Sequence, residues 1–192
     1  FQHLWQSVLN FIFYYPLFMS YLWMIGALIF YWKERKEPPY TQPPTLEEYP
    51  LVAVLVPCFN EQDNADETIS HALKLNYPNF EVIAINDGSS DNTAEILNAL
   101  ALKYDKLRVV HLAENQGKAM ALQAGSLLTD AEFLIGIDGD ALLDPYAAQW
   151  MIRHFLNNPT VAAVTGNPRI RTRSTLLGRI QVGEFSSIVG MI

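Results

Sequence analysis

Charge is missing from the start of this chain: Phe1 to Trp32 contains no Asp, Glu, Lys or Arg. The whole formal net charge of −7 therefore belongs to Lys33–Ile192. Cysteine is nearly absent as well. The single Cys58 excludes an intrachain disulfide and a cysteine-based zinc site, and it fits a reducing compartment. No Gly-x-x-x-x-Gly-Lys-Ser/Thr and no Gly-x-Gly-x-x-Gly occurs, which weakens the kinase, NTPase and dehydrogenase readings. Basic residues are scarce, 13 Lys and Arg against 20 Asp and Glu. That balance argues against nucleic acid as a partner, because such binding draws its affinity from Lys and Arg on phosphates. A single nucleotide is still compatible, since a metal ion and a few local donors can neutralise a diphosphate.

The uncharged start is also apolar. Val8–Trp32 is long enough, at about 1.5 Å rise per helical residue, to cross a hydrocarbon core of about 30 Å. Trp5 at one end and Tyr31 and Trp32 at the other resemble interfacial aromatic belts, and Pro16 is tolerated in lipid-embedded helices. Lys33, Arg35 and Lys36 follow directly, so the positive-inside rule places Lys33 onward in the cytoplasm. Residues 1–36 are thus expected to form a transmembrane helix with a cytoplasmic flank. Residues 37–50, with Pro38, Pro39, Pro43, Pro44 and Pro50, read as a semi-rigid spacer.

Residues 51–192 alternate short apolar runs with helical patterns. Strands are expected at Leu51–Val56, Phe80–Ile85, Leu107–His111, Phe133–Ile137 and Val161–Thr165. Helices are expected at Asp63–Leu75, Asn92–Tyr104 (with Asp91 as its cap), Gly117–Leu128 and Pro145–Asn157. This is the pattern of an α/β fold, a mostly parallel sheet flanked by helices.

Two acidic turns close two of those strands, Asn86-Asp87-Gly88-Ser89 and Asp138-Gly139-Asp140. Ligands of open α/β sheets collect outside the carboxyl ends of the strands, so both turns should open into one crevice. Asp138 and Asp140 suit a hard cation, Mg²⁺ or Mn²⁺, shared with a diphosphate; Asp-Gly is equally an ordinary turn signal. Asp87 is likewise a plausible turn residue, or its carboxylate can accept a hydrogen bond from the imide N–H of uracil. Asn60 and Glu61, after the first strand, either cap a helix or touch the ligand. Lys118 in Asn115-Gln116-Gly117-Lys118 stands where a helix start could meet a phosphate, although exposed lysines are common there. The dense basic stretch Arg169–Arg173 either faces lipid headgroups or anchors an anionic group. His3, His71, His111 and His154 show no metal-ligand spacing and read as structural or exposed.

Taken in order, Pro57-Cys58-Phe59-Asn60-Glu61, Asn86-Asp87-Gly88-Ser89, Asn115-Gln116-Gly117-Lys118-Ala119 and Asp138-Gly139-Asp140 resemble the processive family-2 glycosyltransferases with a Rossmann-like GT-A fold. Cellulose, chitin and hyaluronan synthases belong to that group. The stretches Ile137–Leu143 and Thr165–Thr175 look most like its members that polymerise N-acetylglucosamine into a biofilm exopolysaccharide. The resemblance implies UDP-N-acetylglucosamine as donor, a polysaccharide acceptor, and a bacterial inner membrane with the catalytic domain in the cytoplasm. It assigns Asp87 to uracil, Asp138 and Asp140 to the diphosphate and metal, and Lys118 to the donor site. It also implies a small membrane partner and activation by cyclic di-GMP. The family's Thr-Glu-Asp catalytic base and Gln-x-x-Arg-Trp motif do not occur here. The sequence therefore reads as a donor-binding piece of a longer protein, with no catalytic residue assigned and the base expected downstream of Ile192. A lipid-phosphate sugar transferase and a non-catalytic nucleotide-sugar-binding membrane protein remain as alternatives.

Overall fold

The computed structural model describes residues 2–34 and 43–166. They fall into two compact units, one holding the apolar helix and the other the sheet with its helices. Helix α1 runs Gln2–Glu34, with Pro16 inside it. The Ser20 hydroxyl donates to the Pro16 carbonyl at 2.8 Å. The span His3–Ile29 is long and apolar enough to cross a membrane, and it exposes side chains such as Phe13, Phe18 and Ile29.

The second unit is built on four strands, β1 (Val52–Cys58), β2 (Phe80–Asp87), β3 (Leu107–Leu112) and β4 (Phe133–Gly136). They lie in the order β3-β2-β1-β4, with all pairings parallel. The crossovers are α2 (Ala65–Ala72), α3 (Thr93–Lys103) and α4 (Lys118–Ser126), and α5 (Ala147–Asn157) follows β4. Parallel pairing demands such helical crossovers, which cover both sheet faces and force the central strands to be apolar throughout. Residues Val52–Val56 are accordingly all buried.

The period of two divides those strands between two cores. Val52, Val54, Val56, Val82 and Ala84 pack with Ile69 of α2, Leu97 of α3 and Ile152 of α5. Ala53, Leu55, Ile83 and Ile85 pack with Ala121 of α4. Burying a side chain of the Val or Ile type contributes about 1.5–3 kcal/mol, so these two layers hold the sheet. The Phe133 and Phe155 rings, 5.0 Å apart, seat α5 against β4.

The strand ends differ from expectation in an instructive way. Pro57 and Cys58 continue β1, and Asn86 and Asp87 continue β2, paired as Pro57↔Ile85 and Cys58↔Asn86. Pairing with β4 ends at Leu55↔Gly136, so beyond Leu55 strand β1 has β2 alone as partner. Proline is tolerated at such an edge. The expected fifth strand at Val161–Thr165 is a correction: the segment has no strand structure. Its Val161 N–H donates instead to the Asn158 carbonyl at 3.1 Å, and β-branched residues make a strand only beside a partner ladder. The expectations for Glu37–Gln42 and Asn167–Thr175, including Arg169–Arg173, lie outside the described residues.

Candidate functional site

The chain winds outward from β1 through β2 to β3, then returns to the other side of β1 for β4. The β1–β4 boundary is therefore the topological switch point, where the connections leave in opposite directions and open a crevice. A cleft of about 360 Å³ lies there, lined by Pro57, Cys58, Phe59, Glu61, Asp87, Lys118, Asp138, Gly139 and Asp140. Asp87 at the end of β2 and Asp138 and Asp140 on the turn after β4 thus line one hollow.

Asp87 is nearly fully buried, and both of its carboxylate oxygens are engaged. Oδ1 accepts from the Gln116 N–H and Oδ2 from the Gly117 N–H, each at 2.9 Å. The loop that presents Lys118 is thereby tied to the end of β2. The same tie needs Gly88, whose φ of +65° lies in the left-handed region; a Cβ there would sit 2.5 Å from the Asn115 nitrogen and the Glu114 carbonyl carbon. Backbone atoms cannot yield to such a contact.

The loop after β1 is pinned just as closely. Asn60 adopts φ +55°, a left-handed conformation that Asn tolerates better than most residues. Its N–H donates to the Ser89 hydroxyl at 3.0 Å, and its Oδ1 accepts from the Ser90 N–H at 2.9 Å. The Glu61 N–H donates to the Thr93 hydroxyl at 2.9 Å, and its Oε2 accepts from Asn64 at 2.8 Å. Asp91 accepts from the Gln62 N–H at 3.1 Å and the Thr93 N–H at 3.0 Å. Partial desolvation pushes the Asp91 carboxyl up, but the bonds from Thr93 and Gln62 outweigh it and hold the group below the ordinary carboxylate range. The N-cap of α3 is Asn92 rather than the expected Asp91, which binds the first helical N–H from one residue further out.

Opposite these loops, Asp138 and Asp140 are exposed. Gly139 between them is buried, and a Cβ there would lie 3.0 Å from the Pro57 carbonyl oxygen. The glycine therefore lets the acidic turn close against the end of β1. Lys118, the first residue of α4, forms an ion pair with Asp138 whose two side chains are 59% and 60% exposed. Exposed pairs of this kind contribute about 0–1 kcal/mol, so this one yields readily to a stronger ligand.

Among the described residues no group of three or more His, Cys, Asp or Glu side chains gathers to hold a metal ion. Asp138 and Asp140 offer two exposed carboxylates on one turn. That donor set fits a hard cation whose remaining ligands come from phosphate and water, and it does not fit a closed site made by protein alone.

The expected residues Asn60, Glu61, Asp87, Lys118, Asp138 and Asp140 thus belong to one region, with Asn60 in a hydrogen-bonded rim. Sequence reasoning missed Phe59, whose exposed ring lines the cleft. An apolar residue just past a buried strand, in a loop that cannot fold inward, was its signal. It also missed Cys58 as a wall of the cleft. Burial, reinforced by the Glu61 charge, pushes the Cys58 thiol up to about 12, so this cysteine is an inert neutral group.

Comparison with known proteins gives the family and the fold. The family model for glycosyl transferase family 2 matches residues 53–187, and the chain belongs to that family. It is 40% identical over 191 residues to a poly-beta-1,6-N-acetyl-D-glucosamine synthase of Staphylococcus epidermidis, covering 97% of this chain and 46% of the relative. A Staphylococcus aureus synthase of the same name is 40% identical over 185 residues, covering 95% and 45%. The chain therefore spans about half the length of these relatives. Among solved structures, the mannosyltransferase PcManGT of Pyrobaculum calidifontis, in complex with GDP-Man and Mn²⁺, superposes with a TM-score of 0.61 at 26% identity, over 81% of this chain and 47% of that one. Staphylococcus aureus TarS in complex with UDP-GlcNAc superposes with a TM-score of 0.51 at 19% identity, over 63% and 38%. That likeness concerns the fold, a GT-A sheet flanked by helices.

Proposed function

We propose that this chain binds UDP-N-acetylglucosamine together with Mg²⁺ or Mn²⁺ and forms the donor half of a membrane-bound, inverting glycosyltransferase that extends poly-β-1,6-N-acetylglucosamine. The observation that carries the reading is the convergence of Asp87, Lys118, Asp138 and Asp140 on the switch-point cleft. The 40% identity to synthases of that polymer points to the sugar and the product.

In this reading the pinned loops of β1 and β2 receive the nucleoside. Phe59 offers an aromatic face for the base, of the kind on which bases stack, and the Asp87 carboxylate keeps lone pairs for the imide N–H. Asn60 and Glu61 hold the rim. Lys118 turns from Asp138 toward a phosphate oxygen. Asp138 and Asp140 hold the cation, which would neutralise charge building on the departing diphosphate. Their exposure suits that task, because the ligand itself completes the coordination. Neither carboxylate is then free to take the proton of the acceptor hydroxyl, which needs a positioned base within hydrogen-bond reach. No residue described in the cleft is assigned that role. The polysaccharide acceptor, a small membrane subunit and cyclic di-GMP are partners of the complete enzyme in the same reading. Helix α1 anchors the unit, with Lys33, Arg35 and Lys36 keeping it on the cytoplasmic side of the inner membrane.

Calorimetry of the purified chain with UDP in Mn²⁺, and again in a chelator, tests the reading. Binding that requires the cation and disappears in Asp140→Ala is expected. A wild-type chain that takes up no UDP in the presence of cation would refute it.

A further inference from the structure

Behind the nucleotide loops lies a line of polar side chains that the proposed chemistry does not use. His111, near the end of β3, stands opposite Asn86 in the sheet register. The two ring nitrogens of His111 face different partners. Nδ1 lies 3.1 Å from the Asn86 amide nitrogen, and Nε2 lies 3.0 Å from Asn98 Oδ1 on α3. Asn86 Oδ1 in turn accepts from the Ser89 N–H at 3.1 Å. Ser89 holds the Asn60 N–H through its hydroxyl, and Ser90 holds the Asn60 side chain.

One arrangement of protons satisfies every bond of this network. A backbone N–H can only donate, so the Ser89 bond fixes the Asn86 amide with its oxygen toward Ser89 and its NH₂ toward the imidazole. The NH₂ can only donate, so Nδ1 must be the acceptor. A neutral imidazole then carries its proton on Nε2, where the Asn98 oxygen waits. Were Nδ1 to carry the proton, two donors would face each other. The Asn86 amide would have to flip, and Ser89 would lose its acceptor.

We infer that His111 is a positioning residue for nucleotide binding: as the Nε2–H tautomer, oriented by Asn98, it locks Asn86 and through Ser89 sets the rim that carries Asn60. The inference rests on the reading of the cleft as a nucleotide site. It touches neither Asp138 nor Asp140, so its effect should fall on the nucleotide and spare the cation.

The test uses the full chain with two probes, UDP in saturating Mn²⁺ and Mn²⁺ alone, together with ¹⁵N spectra of labelled histidine. Wild-type His111 should give the signature of a protonated Nε2 and an unprotonated Nδ1. His111→Phe should weaken UDP binding about threefold to tenfold, the worth of one lost hydrogen bond, and leave Mn²⁺ affinity unchanged. Asn98→Leu should mix the two tautomers and weaken UDP binding to a smaller extent; it also serves if His111→Phe fails to fold. A protonated Nδ1 in the wild type overturns the inference. So does an unchanged UDP affinity in either folded variant, or an equal loss for UDP and Mn²⁺, which would mark a merely structural role. If the wild type binds no UDP, the function reading falls, and the tautomer signature still judges the relay.

Discussion

Two turns that look alike as text, Asn86-Asp87-Gly88-Ser89 after β2 and Asp138-Gly139-Asp140 after β4, behave as opposites in the fold. Asp87 is 3% exposed and has both oxygens occupied by backbone N–H groups. Asp138 is 60% exposed and is met by a lysine that is itself exposed. The first turn is frame; its charge is already used in holding the Lys118 loop. The second turn is spare charge on a rigid base, held in place by Gly139 against β1. The proposed donor cleft uses both, because a ligand is oriented by groups that do not move and captured by groups not yet satisfied.

The contrast breaks most sharply at Gly88. Gly88→Ala should lower both Tm and UDP affinity by the largest margin, since the left-handed backbone alone costs about 1–3 kcal/mol and the clash with Asn115 and Glu114 adds to it. A variant with wild-type melting would show that the turn is not the rigid half. Asp87→Ala comes next. Two half-buried N–H groups lose this acceptor, and Gly117 keeps only the Asn115 side-chain oxygen, so chemical denaturation should register a loss of about 1–3 kcal/mol. Asp140→Ala is the counterpart on the other turn. Cation-dependent UDP binding should vanish, while stability stays within about 0.5 kcal/mol of wild type, as for surface substitutions generally. An Asp140→Ala protein that unfolds early would erase the distinction between the turns.

Smaller effects sharpen it further. Lys118→Met removes a counter-ion from Asp138, so Mn²⁺ alone should bind up to about fivefold more tightly, the range of an exposed ion pair. UDP in Mn²⁺ should bind less tightly. Opposite signs in the two titrations are the expected result, and equal signs would deny Lys118 a place between cation and nucleotide. Cys58 gives the mildest readout. With its thiol pushed from 9.0 to about 12 by burial and by Glu61, it should resist alkylation by iodoacetamide at pH 8 until denaturant is added. The raised value also sets a sign for stability. The contribution of the neutral thiol is intact below pH 9 and is lost as pH rises toward about 12.

Much of this architecture was readable from residues alone, for identifiable reasons. β-Branched runs such as Val52–Val56 can be little other than buried parallel strands, and the helices between them follow from the crossover rule. The acidic turns announced the site because the winding order delivers strand ends to one edge. What stayed hidden depended on pairing. Asn86 and Asp87 read as loop residues, but β3 supplies a ladder for them, and the Gln116–Gly117 backbone closes on the Asp87 side chain. Val161–Thr165 has strand propensity but no strand structure. His111 carries no motif; its use becomes visible only when Asn86 and Asn98, distant in sequence, flank its ring. Phe59 is an ordinary apolar residue until the cleft forms around it.

The double grip of Asp87 on Gln116 and Gly117 has a practical corollary for mutagenesis. A change that removes the carboxylate oxygens loosens the loop that carries Lys118, so a dead Asp87 variant would not by itself identify a contact with uracil. Discriminating the two duties requires a ligand-side change, such as N3-methylated UDP presented to the intact protein, where the bracket stays whole and only the imide donor is gone.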